Sequence, residues 1–582
     1  MILRNTALFV LAGLLFSGCS TKLLQTEYEF KKKGEPQTVA IAVIADTQIH
    51  ESRGEPSRPF GKAGDEFIAV TVRTAQQTVG QNDLLLRALE QSKARAMVLH
   101  LGDAMDVSCH TEWKDFTAVM QLGRGGAGPN TWVFAPGNHD GYMVGNLALE
   151  ESGMYVRDYW RNVCNAGRKS VNNEQRFKHF PKNEMLKAYI QALGQTPPAK
   201  GETAGCSSDG ALCWKAFIES EDLSYQSYIV QLLRLPAAVG STTPIYALLL
   251  DSSNYSVRPY TMAYWAGIGG DMSVEQFQAA KVLVDTLPKE ARFFMAAHHS
   301  MSSWNVRNDW LAEKKVGLEA LLKDPRSLRF VMTAHTHEGG WFKHKSVAGD
   351  VVELNTGSLM DWPIYYRELA FEVDADGHFG VRTPLVNMKE AAANCTAKLA
   401  CEADESCSVR DQAPDSTRAT ANRIMAALSS ATKYAQNPFQ AKHIEMDPQL
   451  LVYRDVAAAT MPLDHVFEFE PYSGSNRKER FSREALLAEM TYMATGCQDN
   501  KEKLCSLQAK QNLLIELHKY YWEQAPTAVQ AKAHEIRFCA ALRASEESND
   551  LLVRSKQQAG SILKDSERSV VRMPGGAIAA AK

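Results

Sequence analysis

The sequence predicts an α/β domain followed by a mainly helical region. Three observations carry this reading. Short apolar runs alternate with segments of helical periodicity between residues 38 and 385. Clusters of Asp, Asn, Gln and His stand directly after several of those apolar runs. After residue 386 the strand signal fades and helical periodicity dominates. Strands that alternate with helices indicate a sheet whose connections pack on its faces.

The elements follow in order. Apolar, β-branched runs predict strands at 39–45, 96–101, 131–135, 245–250, 292–297, 328–333, 351–355 and 368–373. Helices are expected at 83–93, 112–122, 274–287 and 312–322, with Ser273 and Gln276 fitting a capping box at the start of the third. Between 141 and 243 the rhythm fails. This stretch, rich in Tyr, Asn, Lys and Arg and holding three cysteines, reads as a large, partly helical insertion fixed by disulfides. Helices at 415–434, 482–494, 502–524 and 528–546 make 386–582 a helical C-terminal domain, ending in a loose tail at 573–582. Its amphipathic helices read as packing helices, and any protein partner they hold is unknown from sequence.

The 582 residues suffice for two to four domains at roughly 150 residues each, and 45% hydrophobic residues suffice for a packed core. A formal net charge of -3 gives no broad basic surface for nucleic acid.

Five motifs carry the chemistry: Ile44-Ala45-Asp46-Thr47-Gln48, Leu101-Gly102-Asp103-Ala104-Met105-Asp106, Pro136-Gly137-Asn138-His139-Asp140, Ala297-His298-His299 and Ala334-His335-Thr336-His337. Each follows a predicted buried strand, and strand C-termini are where open α/β sheets place their sites. In this order the motifs resemble the calcineurin-like metallophosphoesterase family, over roughly residues 38–385. The resemblance implies an αββα sandwich and two divalent metal ions, one held by Asp46, Gln48, Asp103 and His337 and the other by Asp103, Asn138, His298 and His335. It further implies that a water between the ions attacks phosphorus, that His139 protonates the leaving oxygen, and that Asp106 orients His139. Asp140 is the rival partner for His139. Gln48 stands where the family usually has His, and an amide oxygen is the harder ligand, which favours manganese or magnesium-like ions over zinc at the first position. His50 is the alternative ligand there. Ala334 replaces the family's Gly, so the backbone must accept a Cβ.

His299 reads as facing the site or its substrate rather than as a ligand. Asn355-Thr356-Gly357-Ser358 also matches a family segment, either as a simple turn or as a brace for the site's loop. Trp362, Tyr365, Tyr366 and Arg367 read as core or rim rather than as a base-stacking platform. His110, His179 and His344 have no partner pattern and read as surface residues.

Arg4, the apolar run 7–16 and Phe16-Ser17-Gly18-Cys19 read as a secretory signal too short to span a membrane. The small pair before Cys19 resembles the bacterial lipobox, with Phe16 where Leu is preferred. That implies a signal peptide at 1–18, lipidation of Cys19, and a tether at 19–37. Ser20 after the cysteine resembles bacterial sorting signals that imply the outer membrane, with the domain facing the periplasm or the surface. A plain signal peptide with a chance cysteine is the alternative. Of the 11 cysteines, lipidation of one leaves an even number, suited to disulfides in an oxidising compartment. Cys206/Cys213, Cys401/Cys407 and Cys497/Cys505 are spaced for local bridges. The expected activity is therefore hydrolysis of an extracytoplasmic phosphomonoester or phosphodiester, with nucleotide-type substrates first and phospholipid or lipid-linked phosphates second. A noncatalytic metal-binding surface protein is the reading from a different class.

Overall fold

The computed structural model of the chain describes residues 21–22, 41–50, 80–106, 108–123, 131–141, 180–235, 242–255, 270–304, 311–337, 339–360, 364–374, 377–388, 395, 447–471, 478–495, 507–551 and 571–575. The signal segment, Cys19, the helix expected at 415–434, Trp362, His179 and the pairs Cys401/Cys407 and Cys497/Cys505 lie outside the described residues.

In chain order the first half runs β1 (Thr21–Lys22), β2 (Ile41–Ile44), α1 (Gln81–Gln91), β3 (Met97–His100), α2 (His110–Gly123), β4 (Trp132–Phe134) and α3 (Lys182–Ala192). Then come β5 (Gly201–Cys206), β6 (Leu212–Ile218), β7 (Tyr228–Leu235), β8 (Ile245–Leu249), α4 (Val274–Asp285), β9 (Arg292–Ala296) and α5 (Leu311–Lys323). The sheet-forming part ends with β10 (Ser327–Thr333), β11 (Gly340–Ser346), β12 (Gly349–Asn355), β13 (Tyr365–Val373), β14 (Phe379–Arg382) and β15 (Leu385–Asn387). After it follow α6 (Asp447–Thr460), β16 (Val466–Phe469), β17 (Glu479–Ser482), α7 (Arg483–Thr495), α8 (Leu507–Lys519), α9 (Thr527–Leu551) and β18 (Val571–Arg572). Among the described residues, no helix is long and apolar enough to cross a membrane.

Every residue of β2 is buried, because the strand is covered on both faces. Its Ile41 and Val43, with Leu99, Leu101 and Val133, meet Leu249, Phe294, Ala296, Phe330 and Met332 of a second sheet. Its Ala42 and Ile44 point the other way, onto Leu85 and Leu89 of α1 and Phe116 of α2. Phe293, Met295 and Val331 on the far side of the second sheet pack against Phe277 and Leu283 of α4 and Leu321 of α5. Two sheets face to face with helices outside form an αββα sandwich. Each fully buried Leu, Ile or Phe in it contributes about 1.5–3 kcal/mol.

Among the described residues, one sheet orders its strands β18-β14-β13-β2-β3-β4, with β15 also on β13, and the other β1-β11-β12-β10-β9-β8-β7-β6-β5. β2, β3 and β4 run parallel, as do β8, β9, β10 and β12. The C-terminal ends of β2, β3, β4, β9 and β10 carry the five motifs.

Several expectations change on contact with the structure. The described part of 141–243 holds one α-helix, α3, and a 3₁₀ helix at Glu221–Gln226, but also β5, β6 and β7, which extend the larger sheet in antiparallel fashion. The rhythm fails there because the strands are joined as hairpins rather than through helices. Cys206 and Cys213 face each other in that ladder and are bridged. Residues 573–575 are no loose tail. The Met573 N–H donates to Phe379 O and the Gly575 N–H to Leu328 O, just past β18 on β14. Thr21–Lys22, expected in the tether, pairs with β11. His344 is buried rather than superficial, its Nε2 2.6 Å from Glu353 Oε2. His110 is half-buried against Phe180. The cap at α4 is one-sided. Ser273 Oγ accepts the Gln276 N–H at 3.2 Å, but the Gln276 amide grips the backbone of Asp251 instead of returning to Ser273.

After β15 the helices α6, α7, α8 and α9 share a core of their own around Leu450, Met490, Leu513 and Tyr521, to which the hairpin β16–β17 adds Phe467 and Phe469. The sequence reading missed α6 and this hairpin. α9 docks on α1, where Gly80 lies so close that a Cβ would meet Ala541 Cβ at 2.4 Å. A disulfide joins Cys395 to Cys539 of α9.

Candidate metal centre

The strand ends converge. The Asp46 N–H donates to Gly102 O (3.0 Å), the Gln48 N–H to Asp103 O (2.8 Å) and the Ala334 N–H to His298 O (2.7 Å), so the β ladders continue into the loops that carry the motifs. Asp46, Gln48, Asp103, His335 and His337 all adopt positive φ, between 38° and 71°. Such conformations are costly for residues with a Cβ, and they cluster where surrounding structure over-determines a site. Gly102 has φ +87, and a Cβ there would meet the His298 ring at 2.7 Å. A Cβ on Gly137 would stand 2.2 Å from Asp103 Oδ1. Both glycines are therefore required by close approach around Asp103.

Asp103 is the hub. Its Oδ1 accepts the His139 N–H at 2.9 Å and its Oδ2 lies 3.1 Å from His298 Nε2. Nε2 of His298 also stands 3.2 Å from Asn138 Oδ1, while its Nδ1 lies 2.7 Å from Leu101 O. A carbonyl partner on Nδ1 fixes the tautomer that leaves the Nε2 lone pair free for a cation. Asp46 Oδ1 is buried without a hydrogen-bond donor among the described residues and faces His337 Nε2 at 3.2 Å and His298 Nε2 at 3.9 Å. Its Oδ2 accepts the His335 N–H at 3.3 Å. Ligand atoms of Asp46, Asp103 and His337 lie within 4.8 Å of one another, and so do those of His298, His299 and His335. Buried acceptor atoms facing each other without donors are what a cation satisfies. All seven residues expected to bind metal thus surround one region, and their chemistry fits a pair of divalent ions.

Burial acts against the charge on Asp103, but His298, His139 and His335 outweigh it and hold the carboxyl well below the usual range. Burial likewise opposes the charge on His298, and Asp103 together with Asp46 reverses this, raising His298 to about 9. His335 and His100 are driven down to about 3, first by burial and then by the charge of His298. Burial, His335 and His298 lower His299. The folded value of His298 lies above its ordinary 6.5, so its stabilising contribution is whole below pH 6.5 and is lost as pH rises through about 9. In chelator, the melting temperature should accordingly fall across that interval. Added Mn²⁺ should flatten the fall, because binding expels the same proton. A melting temperature in chelator that stays level from pH 6.5 to 9.5 would refute the pairing of His298 with Asp103.

His139 is bound to Asp106 rather than Asp140. Its Nδ1 contacts Asp106 O and lies 3.4 Å from Asp106 Oδ1. Asp140 instead accepts the N–H groups of Met105 (3.0 Å) and Gly137 (2.8 Å), lacing the second and third motifs together. His50 turns its Nδ1 to Asp106 Oδ2 at 2.6 Å. Burial works against protonation of His139, and Asp103 and Asp106 overcome it to raise the ring above its usual range.

The Asn355–Ser358 segment braces the site. Asn355 Oδ1 accepts from Thr336 Oγ1 at 3.0 Å, its Nδ2 donates to Ala334 O, and Ser358 Oγ donates to Asp46 O at 3.1 Å. Ala334 keeps a negative φ and sets its methyl in the inter-sheet core, which is how the family's glycine is dispensed with. Tyr365, Tyr366 and Arg367 are buried in β13 and serve the core.

The sequence reading overlooked three contributors. Ser252 Oγ lies 2.8 Å from His299 Nδ1. Glu353 receives Thr333 Oγ1, Ser300 Oγ and the Met301 N–H, fixing the loop after His298. The buried Lys182 donates to Asp251 Oδ1, Ser253 O and Ser253 Oγ. Asp251-Ser252 follows β8 as the motifs follow their strands, which was a usable signal; Lys182 had none.

Residues 39–202 match the family model described as calcineurin-like phosphoesterase. No curated protein matches the chain. The matched stretch holds Asp46, Gln48, Asp103, Asp106, Asn138 and His139, and the fold brings His298, His335 and His337 to them from beyond it. The matched family implies metal-dependent hydrolysis of phosphoesters and the use of divalent metals, and two groups of candidate ligands stand at the strand ends. Together, the match and the geometry identify a calcineurin-like phosphoesterase domain in this chain.

Proposed function

We propose that the chain hydrolyses an extracytoplasmic phosphomonoester or phosphodiester, with nucleotide-type esters as the leading class. The observation that carries this is the meeting of two buried carboxylates, Asp46 and Asp103, with the imidazoles of His298 and His337, and with no Lys or Arg paired to either carboxylate among the described residues. In this reading Asp46, Gln48, Asp103 and His337 hold one ion, and Asp103, Asn138, His298 and His335 hold the other. Manganese is favoured, with iron, zinc or magnesium as the other candidates. Two divalent ions bound there would polarise the phosphate and acidify a water at neutral pH.

The protein's own residues then have separate tasks. Asp103 is positioned by the His139 N–H, so the shared carboxylate and the acid move as one unit. Asp106 takes up Nδ1 of His139, leaving Nε2 as the nitrogen that hands a proton to the departing oxygen. His139→Gln should lower kcat on alkyl phosphodiesters by ~10²–10⁴-fold. On p-nitrophenyl esters, whose leaving group departs unprotonated, the loss should be far smaller. Equal losses on both would remove His139 from the acid role.

The class of substrate is tested on the full chain supplied with Mn²⁺, using bis-p-nitrophenyl phosphate, nucleotides and lipid head-group esters. Turnover confined to the lipid esters would replace the nucleotide reading, and no turnover of any ester would end the hydrolase reading. The lipid anchor at Cys19, placing the enzyme in the cell envelope on the outer membrane, rests on the segment 16–19. Retention of a Cys19→Ala chain in the membrane fraction would remove it.

A further inference from the structure

His299 follows the fourth motif's first histidine and lies outside the family's ligand set. Its side chain is wholly buried, whereas His139 and His337 keep 5% and 6% of their surfaces exposed. A group at zero exposure cannot touch a substrate phosphate, so the substrate-facing role expected from sequence does not fit it. Its ring lies 4.4 Å from that of His335 and 4.8 Å from that of His298, centroid to centroid. One nitrogen of each of the three rings falls within 4.8 Å of the others.

The two nitrogens of His299 are placed differently. Nδ1 is 2.8 Å from Ser252 Oγ, and the same hydroxyl accepts the His299 N–H at 2.9 Å. Nε2 is buried with no hydrogen-bond partner among the described residues. If Nε2 carried the proton, a donor would be buried without an acceptor. If Nδ1 carries it and donates to Ser252, Nε2 is left with a bare lone pair, in a ring packed against those of His298 and His335. A cation satisfies the second arrangement, and no acceptor among the described residues satisfies the first.

The turn that presents Ser252 is held from three sides. Lys182 directs all three of its donors at Asp251 and Ser253. Gln276 exchanges hydrogen bonds with the Asp251 backbone. Ser253 pairs with Asp271. The Trp304 indole N–H fixes His299 from the other side, donating to its carbonyl at 2.9 Å. Such outer support is what keeps a ligating ring in one orientation.

We propose that His299 is a metal ligand, binding through Nε2 the ion that His298 and His335 also hold. This rests on the two-metal reading above. The second ion then sees three imidazoles with Asp103 and Asn138, while the first sees mainly oxygen from Asp46, Gln48 and Asp103. Imidazole-rich sites suit zinc and iron, and oxygen-rich sites suit manganese and magnesium. The two positions therefore select different metals.

The test is metal content of the full chain, dialysed against graded free Zn²⁺ and read by elemental analysis, with circular dichroism in chelator as the folding control. Wild type should hold two ions. His299→Ala should keep one and bind the second at least ~10-fold more weakly. Undiminished binding of the second ion by a folded His299→Ala chain overturns the proposal. Anomalous diffraction from zinc-loaded wild type needs no variant to fold. An ion about 2.0–2.1 Å from His299 Nε2 supports the assignment, and an ion between His298 and His335 out of bonding reach of His299 defeats it. A wild-type chain with no second ion under any condition would instead bring down the two-metal reading, and this proposal with it.

Discussion

Asp103→Asn is expected to reduce hydrolysis of bis-p-nitrophenyl phosphate by at least ~10³-fold, which corresponds to about 4 kcal/mol of lost transition-state stabilisation. It should also lower bound metal by at least one ion per chain. The variant keeps the shape of the side chain, so the cause is charge and donor type. One oxygen of Asp103 accepts the His139 N–H and the other faces His298 Nε2, whose ring is anchored at Leu101 O. An asparagine amide has two orientations here. In one, its NH₂ opposes the His139 N–H. In the other, it donates to His298 Nε2 and occupies the lone pair a cation needs. Neither leaves a group that spans two cations. Elemental analysis and kcat/KM measured on one preparation decide the matter. If variant and wild type turn over the ester equally, the reaction occurs elsewhere.

The sandwich was legible because its central strands are buried on both faces. Each therefore appears as an unbroken apolar run, such as Ile41–Ile44, with a polar motif directly after it. What escaped notice has a common cause. β6 reads Leu-Cys-Trp-Lys-Ala-Phe-Ile, with alternate residues buried, a period of two that a search for continuous runs passes over. His344 looked solitary because Glu353 lies on the neighbouring antiparallel strand, a partner set by register and invisible along the chain. Lys182 meets Asp251 only after α3 is laid beside the end of β8. The left-handed backbone of Asp46, Gln48, Asp103, His335 and His337 carries no residue signature at all, since none is glycine. Residue type at a strand end announced the site; the strain that aims those residues is a property of the assembled loops.

The C-terminal helices belong to the same cooperative structure, and Asp83→Ala should show it by costing about 3–5 kcal/mol, the usual penalty for orphaning a buried charge. Asp83 on α1 is buried, and Arg537 on α9 is fully so. The guanidinium donates through Nε to Asp83 Oδ2 (2.9 Å) and through Nη2 to Oδ1 (3.1 Å), and His534 Nδ1 lies 2.7 Å from the same Oδ1. The Arg537 guanidinium also lies over Trp522 at 5.2 Å and Tyr453 at 5.8 Å. Alanine removes the carboxylate while Arg537 stays fully buried beside aromatic rings. Asp83→Leu with Arg537→Met should recover much of the loss, because removing both charges leaves neither unpaired. Urea denaturation of the disulfide-intact chains measures both effects, and a wild-type midpoint for Asp83→Ala would show that the ion pair does not join the two regions. Because α1 lies next to β3 and β2 in the same core cluster, loosening α9 loosens the scaffold beneath Asp46 and Asp103. Removing residues 390–582 would strip α9 and β18 together, uncovering Leu84, Leu85 and Val381. Such a truncated chain should aggregate before its turnover can be measured, so point variants at the ion pair are the way to ask what the helices do for the site.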